Sequence, residues 1–320
     1  MGIDRREVLV GAGSLALTSA IPISAAAARR VPPKRMDCKE LTADDATEGW
    51  DLGGKLALVT GCNSGIGFET MRVLAKRGAH VLGAARTSEK AGKACAQVTG
   101  DATPLTIELT DFASIDSAAG QVAALGRPLD MLICNAGVMS LPERTLSHGV
   151  ELQFAVNHLG HFLLVKRLLD QVTAADDGRI VVLSSELHRR APAQGIKFDD
   201  LAWDAEDYDG FVAYAHSKLA NVLFTRELSR RLESTNASAN AVHPGVIKTN
   251  LVRHMPQSVQ AGDWDDRNVA QGATTSCYVA GIPVCAAYQV TISPTVTPWS
   301  PASWPGTMPL PNAFGQYLKN

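Results

Sequence analysis

Tyr214-Ala-His-Ser-Lys218 carries a phenol and an ammonium four residues apart, so on a helix both side chains share one face. A tyrosine ordinarily ionises near pH ~10, too high for acid or base work at neutrality. A neighbouring lysine charge favours the phenolate and brings the hydroxyl toward the range of a useful proton donor. The same spacing also describes an ordinary exposed pair, so the elements around it must decide.

From Lys55 onward apolar runs alternate with helical periodicity. Residues 56–59, 79–85, 105–109, 131–134, 179–183 and 239–242 read as buried strands, and 65–77, 114–125, 152–169 and 212–232 as helices. Single helices between successive strands imply right-handed crossovers and one doubly wound parallel sheet of the Rossmann type, an α/β fold. Residues 51–280 form that domain, and no second core is visible.

Thr60-Gly61-Cys62-Asn63-Ser64-Gly65-Ile66-Gly67 falls between the first strand and the first helix. In that position Gly61 allows a tight turn, Gly65 lets the backbone approach a pyrophosphate, and Gly67 permits close helix packing. The helix amino terminus adds amide donors and a partial positive charge. The second strand ends in Ala85-Arg86-Thr87, with no acidic group for ribose hydroxyls, so Arg86 is expected to pair with the 2′-phosphate of NADP(H). A solvated surface arginine is the competing reading.

These pieces, with Asn135-Ala136-Gly137 after the fourth strand, Asn157 in the following helix, Ser184-Ser185 after the fifth strand and the Tyr214/Lys218 pair, stand in the order of the short-chain dehydrogenase/reductase family. Runs such as Phe154-Ala-Val-Asn-His-Leu-Gly-His-Phe and His243-Pro-Gly-Val-Ile-Lys-Thr resemble its retinol dehydrogenase and WW-domain oxidoreductase branch. The resemblance implies that Tyr214 exchanges a proton with a carbonyl oxygen while hydride passes between nicotinamide and carbon. It implies that Ser185 holds the same oxygen, that Lys218 binds the nicotinamide ribose and lowers the Tyr214 pKa, and that Asn157 positions a water. Ser185 as a strand-end turn residue and Asn157 as a satisfied structural amide remain the alternatives. Cofactor contacts would further come from Asn63, Ser64, Ile66, Glu108, Leu109, Asn135, Ala136, Gly137, Pro244, Gly245, Val246 and Thr249, besides the three loop glycines, Arg86, Tyr214 and Lys218. Glu108 replaces the family's usual aspartate, and Cys134 the first of two asparagines.

The expected substrate is a small apolar ketone, aldehyde or alcohol. Trp203, Tyr208, Phe211, Met255 and Trp264 either line its pocket or pack the lids over it. A catalytically idle NADP-binding interaction or sensor protein is the second reading, and an S-adenosylmethionine methyltransferase, which has no use for Tyr214 and Lys218, the third. The chain has 46% hydrophobic and 19% charged residues and a net charge of −2, which argues against nucleic acid or an anionic membrane surface as the main partner. Six scattered cysteines suggest free thiols. No pair among His158, His161, His188 and His216 suggests a metal, and packing or surface roles are expected for them. Homo-oligomers are frequent in the family.

Residues 1–28 combine Arg5-Arg6, an apolar stretch and a run of alanines, the pattern of a twin-arginine export signal, which predicts a periplasmic protein. Translation from Met36 would instead give a cytoplasmic one, where NADPH is supplied. Residues 29–50 read as a linker arm. Residues 281–320 hold seven of the sixteen prolines and no Asp or Glu, unlike the charged ending of the family. A one-base shift of reading frame near Gly281 converts the permitted codons into a peptide resembling that ending; the nucleotide sequence tests it.

Overall fold

The computed structural model describes residues 41–204, 207–255, 257–261 and 267–281; the expectations for 1–40 and 282–320, and Trp264, lie outside the described residues. A short helix α1 (Ala43–Ala46) leads into β1 (Leu56–Thr60), α2 (Gly65–Lys76), β2 (His80–Ala85), α3 (Ser88–Cys95), β3 (Ala102–Thr106), α4 (Phe112–Ala123) and β4 (Met131–Cys134). A small hairpin, β5 (Leu146–Ser147) and β6 (Val150–Glu151), precedes α5 (Leu152–Phe154), a π-turn at Ala155–Leu159, α6 (Gly160–Thr173) and β7 (Gly178–Leu183). Helix α7 (Gly210–Leu232), β8 (Ala237–Val242), α8 (Gln257–Gln260), α9 (Val269–Gly272) and α10 (Thr274–Gly281) complete the described chain.

The sheet is parallel throughout, in the order β3-β2-β1-β4-β7-β8. Alternation along the strands feeds two cores. Leu56, Leu58, Leu132, Ile180 and Val182 face α4, α6 and α7, whereas Ala57, Val59, Met131, Ile133 and Val181 face α2 and α3. The chain winds outward from β1 to β3, then crosses back to β4, so the crevice between the carboxyl ends of β1 and β4 is the switch point at which open α/β sheets take ligands.

Three features differ from the expected elements. The third strand lies at Ala102–Thr106 rather than 105–109: this is an edge strand with exposed residues, and buried Ile107 and Leu109 belong to the descent into α4. Helix α3 is only two turns long and polar on average, its buried face made of the small residues Ala91, Ala94 and Cys95, so the apolar pattern of the sequence does not mark it. The helix expected over 152–169 is opened by the π-turn around Asn157. Gly160 follows it, and a Cβ there would strike the Leu109 carbonyl, so only glycine lets the turn approach so closely.

Candidate active site

The glycine loop wraps the end of β1. Gly61 (φ 71°) and Gly65 (φ 58°) occupy left-handed backbone that other residues strain to adopt. Gly67 is buried, and a Cβ on it would overlap the Gly61 carbonyl and the Asn135 amide. Gly67→Ala is therefore expected to displace the loop and weaken nucleotide affinity at least about tenfold, readable as fluorescence quenching without turnover. Asn63 is exposed, with Ser64 and Ile66 half-buried, at the start of α2, whose first amides face the crevice.

Asn135 closes the other wall. Its backbone N–H donates to the Thr60 hydroxyl at 2.9 Å, and its side-chain Nδ2 donates to the Thr60 carbonyl at 2.8 Å. Ala136 N–H donates to the same hydroxyl at 3.0 Å. Gly137 lies against Asn157 and Lys218; a Cβ there would sit 3.9 Å from Lys218 Nζ.

The long α7 begins at Asp209, whose carboxylate accepts from Phe211 and Val212 N–H, and carries Tyr214 and Lys218 on one face. Both are buried, with 4% of their surface exposed. Burial raises the Tyr214 pKa, opposed by a hydrogen bond with Ser185. Burial pushes Lys218 down to about 8. Its Nζ lies 5.5 Å from the Tyr214 ring centroid and donates to the Leu183 carbonyl at 2.8 Å. In the free protein the phenol is thus harder to ionise, because its desolvation outweighs the Ser185 hydrogen bond. Ser185 opens a 3₁₀ turn, its Oγ accepting from Leu187 N–H at 3.2 Å.

Asn157 is fully engaged. Its Oδ1 accepts from Val138 N–H at 2.8 Å, and Nδ2 donates to the Val138 carbonyl and to Ser217 Oγ, both at 2.9 Å. The side chain thereby clamps the segment after β4 to α7.

Glu108 turns onto Thr110, accepting from its N–H and hydroxyl at 3.1 and 2.9 Å, and Leu109 is buried in the core. Pro244, Gly245 (φ 96°) and the 47% exposed Val246 form the open loop after β8. A Cβ on Gly65 would meet Thr249 at 3.3 Å, so that loop folds back over the glycine turn. Arg86 is exposed at the end of β2. Arg253, on the 3₁₀ turn Asn250–His254 beyond Thr249, is depressed by burial and by the charge of Arg86, so the lid brings a second guanidinium to that corner, unforeseen from sequence.

Around Tyr214 lie Met139, Val252 and Met255, with Leu187, Phe211 and Leu251 packed against them. Of the pocket candidates, Phe211 and Met255 thus share the apolar cluster around Tyr214. Trp203 and Tyr208 instead pack the lid: Trp203 is buried against His216, and the Tyr208 hydroxyl donates to buried Glu151 at 2.8 Å. The four histidines are all buried, so the surface option falls away for each. Cys62 and Cys134 are likewise fully buried, and with Cys95 and Cys277 are free thiols.

The sequence profile described as short chain dehydrogenase matches residues 55–197 and 205–260. The chain belongs to the short-chain dehydrogenase family. It is 41% identical over 257 residues to the short-chain dehydrogenase TIC 32 B, chloroplastic, of Brassica napus, covering 75% of this chain and 79% of that one. Over 208 residues it is 44% identical to human retinol dehydrogenase 13, covering 63% of this chain and 62% of the relative. Among solved structures it is similar to a gluconate 5-dehydrogenase from Beutenbergia cavernae described as NAD(P) dependent and holding NADP. That likeness has a TM-score of 0.55 at 26% identity and covers 72% of this chain and 90% of that one. The family and its retinol dehydrogenase branch are those expected from the motifs, and the chain is an oxidoreductase relative with the expected α/β sheet. No helix among the described residues is long and apolar enough to cross a membrane.

Proposed function

We propose that the protein is an NADP(H)-dependent oxidoreductase interconverting an apolar ketone or aldehyde and its alcohol. The observation that carries this reading is the buried Tyr214 hydroxyl hydrogen-bonded with Ser185, one helical turn from the Lys218 ammonium and ringed by methionine, leucine and phenylalanine.

The chain's residues fit a dinucleotide. Gly61, Gly65 and Gly67 let the loop close against Ala136, Thr249 and Asn135, with which a Cβ would crowd or collide, α2 directs its free amides into the crevice, and the exposed Arg86 would pair with a 2′-phosphate. Glu108, Leu109, Asn135, Ala136 and Gly137 would flank the adenosine and ribose, while Pro244, Gly245, Val246 and Thr249 close from above. When bound, the nicotinamide supplies or accepts the hydride. In the reducing direction Tyr214 gives its proton to the carbonyl oxygen, Ser185 donates a hydrogen bond to that oxygen, and the Lys218 charge favours the phenolate left behind. Asn157 keeps α7 and the 138 segment in register. The apolar ring around the phenol excludes water and selects a lipophilic substrate.

Turnover with NADPH over a panel of long-chain aldehydes and bulky apolar ketones tests this reading. Reduction of at least one, with kcat/KM rising with apolar surface, is expected. Nucleotide binding without turnover on any carbonyl would instead favour an idle cofactor-binding protein. Arg86→Asp should exchange a charge-assisted pair for a repulsion and move preference toward NAD(H) by roughly 10- to 100-fold in the ratio of kcat/KM values. An unchanged ratio refutes the assignment of Arg86.

A further inference from the structure

One polar chain runs through the core from the glycine-loop strand to the Tyr/Lys helix, and the reading above leaves its middle members without a role. Thr60 Oγ1 lies 2.9 Å from His161 Nε2. His161 Nδ1 lies 3.1 Å from the Asn157 carbonyl. That carbonyl also accepts from Asn221 Nδ2 at 3.1 Å, and the same amide donates to the Leu183 carbonyl at 3.1 Å, where Lys218 Nζ already donates. Thr60, His161, Asn157, Asn221 and Lys218 are each no more than 4% exposed.

The protons along this chain have only one consistent arrangement. A carbonyl can only accept, so His161 Nδ1 carries the hydrogen that reaches Asn157. Burial holds the ring neutral, depressing its pKa to about 4, so Nε2 is a bare acceptor. The Thr60 hydroxyl has two acceptors, His161 Nε2 at 2.9 Å and the Ile133 carbonyl at 3.4 Å, and donates to the nearer, which leaves its lone pairs to the N–H groups of Asn135 and Ala136. At the far end His158 Nδ1 lies 3.1 Å from Asn221 Oδ1, so His158 donates and fixes the orientation of that amide.

We propose that His161 is a positioning residue: in its Nδ1–H tautomer it couples the cofactor wall at Thr60 and Asn135 to the Asn157 carbonyl and, through Asn221, to the carbonyl that holds Lys218. The proposal rests on the oxidoreductase reading for its kinetic consequences, but nucleotide affinity and the tautomer can be measured without any substrate. The two ring nitrogens serve different ends of the site, which makes the roles separable. An asparagine amide reaches the place of Nδ1, and a glutamine end group that of Nε2.

His161→Asn is expected to keep kcat at saturating cofactor within about threefold while weakening NADPH affinity roughly tenfold, because only the Thr60 link is lost. His161→Gln should do the reverse, binding NADPH normally while kcat falls roughly 10- to 100-fold as the Asn157 turn loosens. His161→Phe, which keeps the ring volume, should show both losses. Thr60→Val and Thr60→Ser provide a second pair should the His161 variants fail to fold. The valine weakens NADPH binding as His161→Asn does, and the serine restores it. In ¹⁵N-histidine-labelled protein at pH 7, His161 is expected as the neutral Nδ1–H tautomer. A His161→Phe protein with native NADPH affinity and native kcat, changed only in Tm, would reduce the residue to packing and overturn the proposal. An Nε2–H tautomer, or Thr60→Val indistinguishable from Thr60→Ser, would overturn it as well. A wild-type protein that binds NADPH but turns over no carbonyl would sink the oxidoreductase reading alone, leaving the affinity and tautomer arms decisive.

Discussion

Tyr214→Phe is expected to lower kcat by roughly 10²- to 10⁴-fold while NADPH affinity stays within about twofold, the largest kinetic effect of any single change in this chain. The variant removes one oxygen and leaves the ring in its nest of Met139, Val252 and Met255, so the fold has little to lose. Ser185 remains to hold a carbonyl oxygen, but nothing supplies the proton that must arrive as hydride does. Because the hydroxyl is buried and its pKa is raised in the free protein, Tyr214 stays protonated across the neutral range, which suits donation to a carbonyl. The reverse reaction, which needs the phenolate, should therefore climb with pH more steeply than the reduction. Steady-state rates in both directions for wild type and Tyr214→Phe, with nucleotide binding measured separately, check this. A loss below tenfold would remove Tyr214 from the chemistry.

Much of this architecture was readable in the sequence because strands buried on both faces leave continuous apolar runs, as 56–59, 131–134 and 180–183 do. Glycines at Gly61, Gly65 and Gly67 mark a loop whose backbone must come close to something. What escaped lies where local signal is weak or where partners are far apart in the chain. Helix α3 is short and polar on average, with only Ala91, Ala94 and Cys95 to bury, and β3 borrows its stability from pairing with β2 rather than from its own exposed residues. The π-turn left no trace beyond an asparagine in mid-helix, because the partner of that side chain, Val138, lies nineteen residues earlier. His161 looked ordinary for the same reason: its Thr60 partner is 101 residues away, and only the fold brings the two together. The Tyr/Lys spacing, by contrast, needed nothing but one helical turn.

Lys218→Met should separate stability from activity. Burial pushes the Lys218 pKa from 10.5 to about 8, so the folded state favours the neutral amine more than the unfolded chain does. Below pH 8 the lysine is charged in both states, and the whole desolvation cost is present. Between about 8 and 10.5 the unfolded chain binds more protons, so stability rises with pH, and above that interval the cost is gone. The depression corresponds to about 3 kcal/mol as an upper bound, partly offset by the lost hydrogen bond to Leu183. That carbonyl keeps Asn221 Nδ2 as a donor, so the methionine leaves no orphaned acceptor behind. The variant is therefore expected to melt a few degrees higher at pH 7 and to lose the rise in stability between pH 8 and 10.5. Its kcat should nevertheless fall at least about 10²-fold, since no charge remains to favour the Tyr214 phenolate. Wild-type kcat/KM for reduction should itself decline above pH 8 as Lys218 discharges in the free enzyme, a limb the variant would lack. Thermal melts across pH 6–11 beside rate profiles decide the matter. A variant that is less stable at pH 7 yet nearly as active would mean that Lys218 serves the fold rather than the reaction.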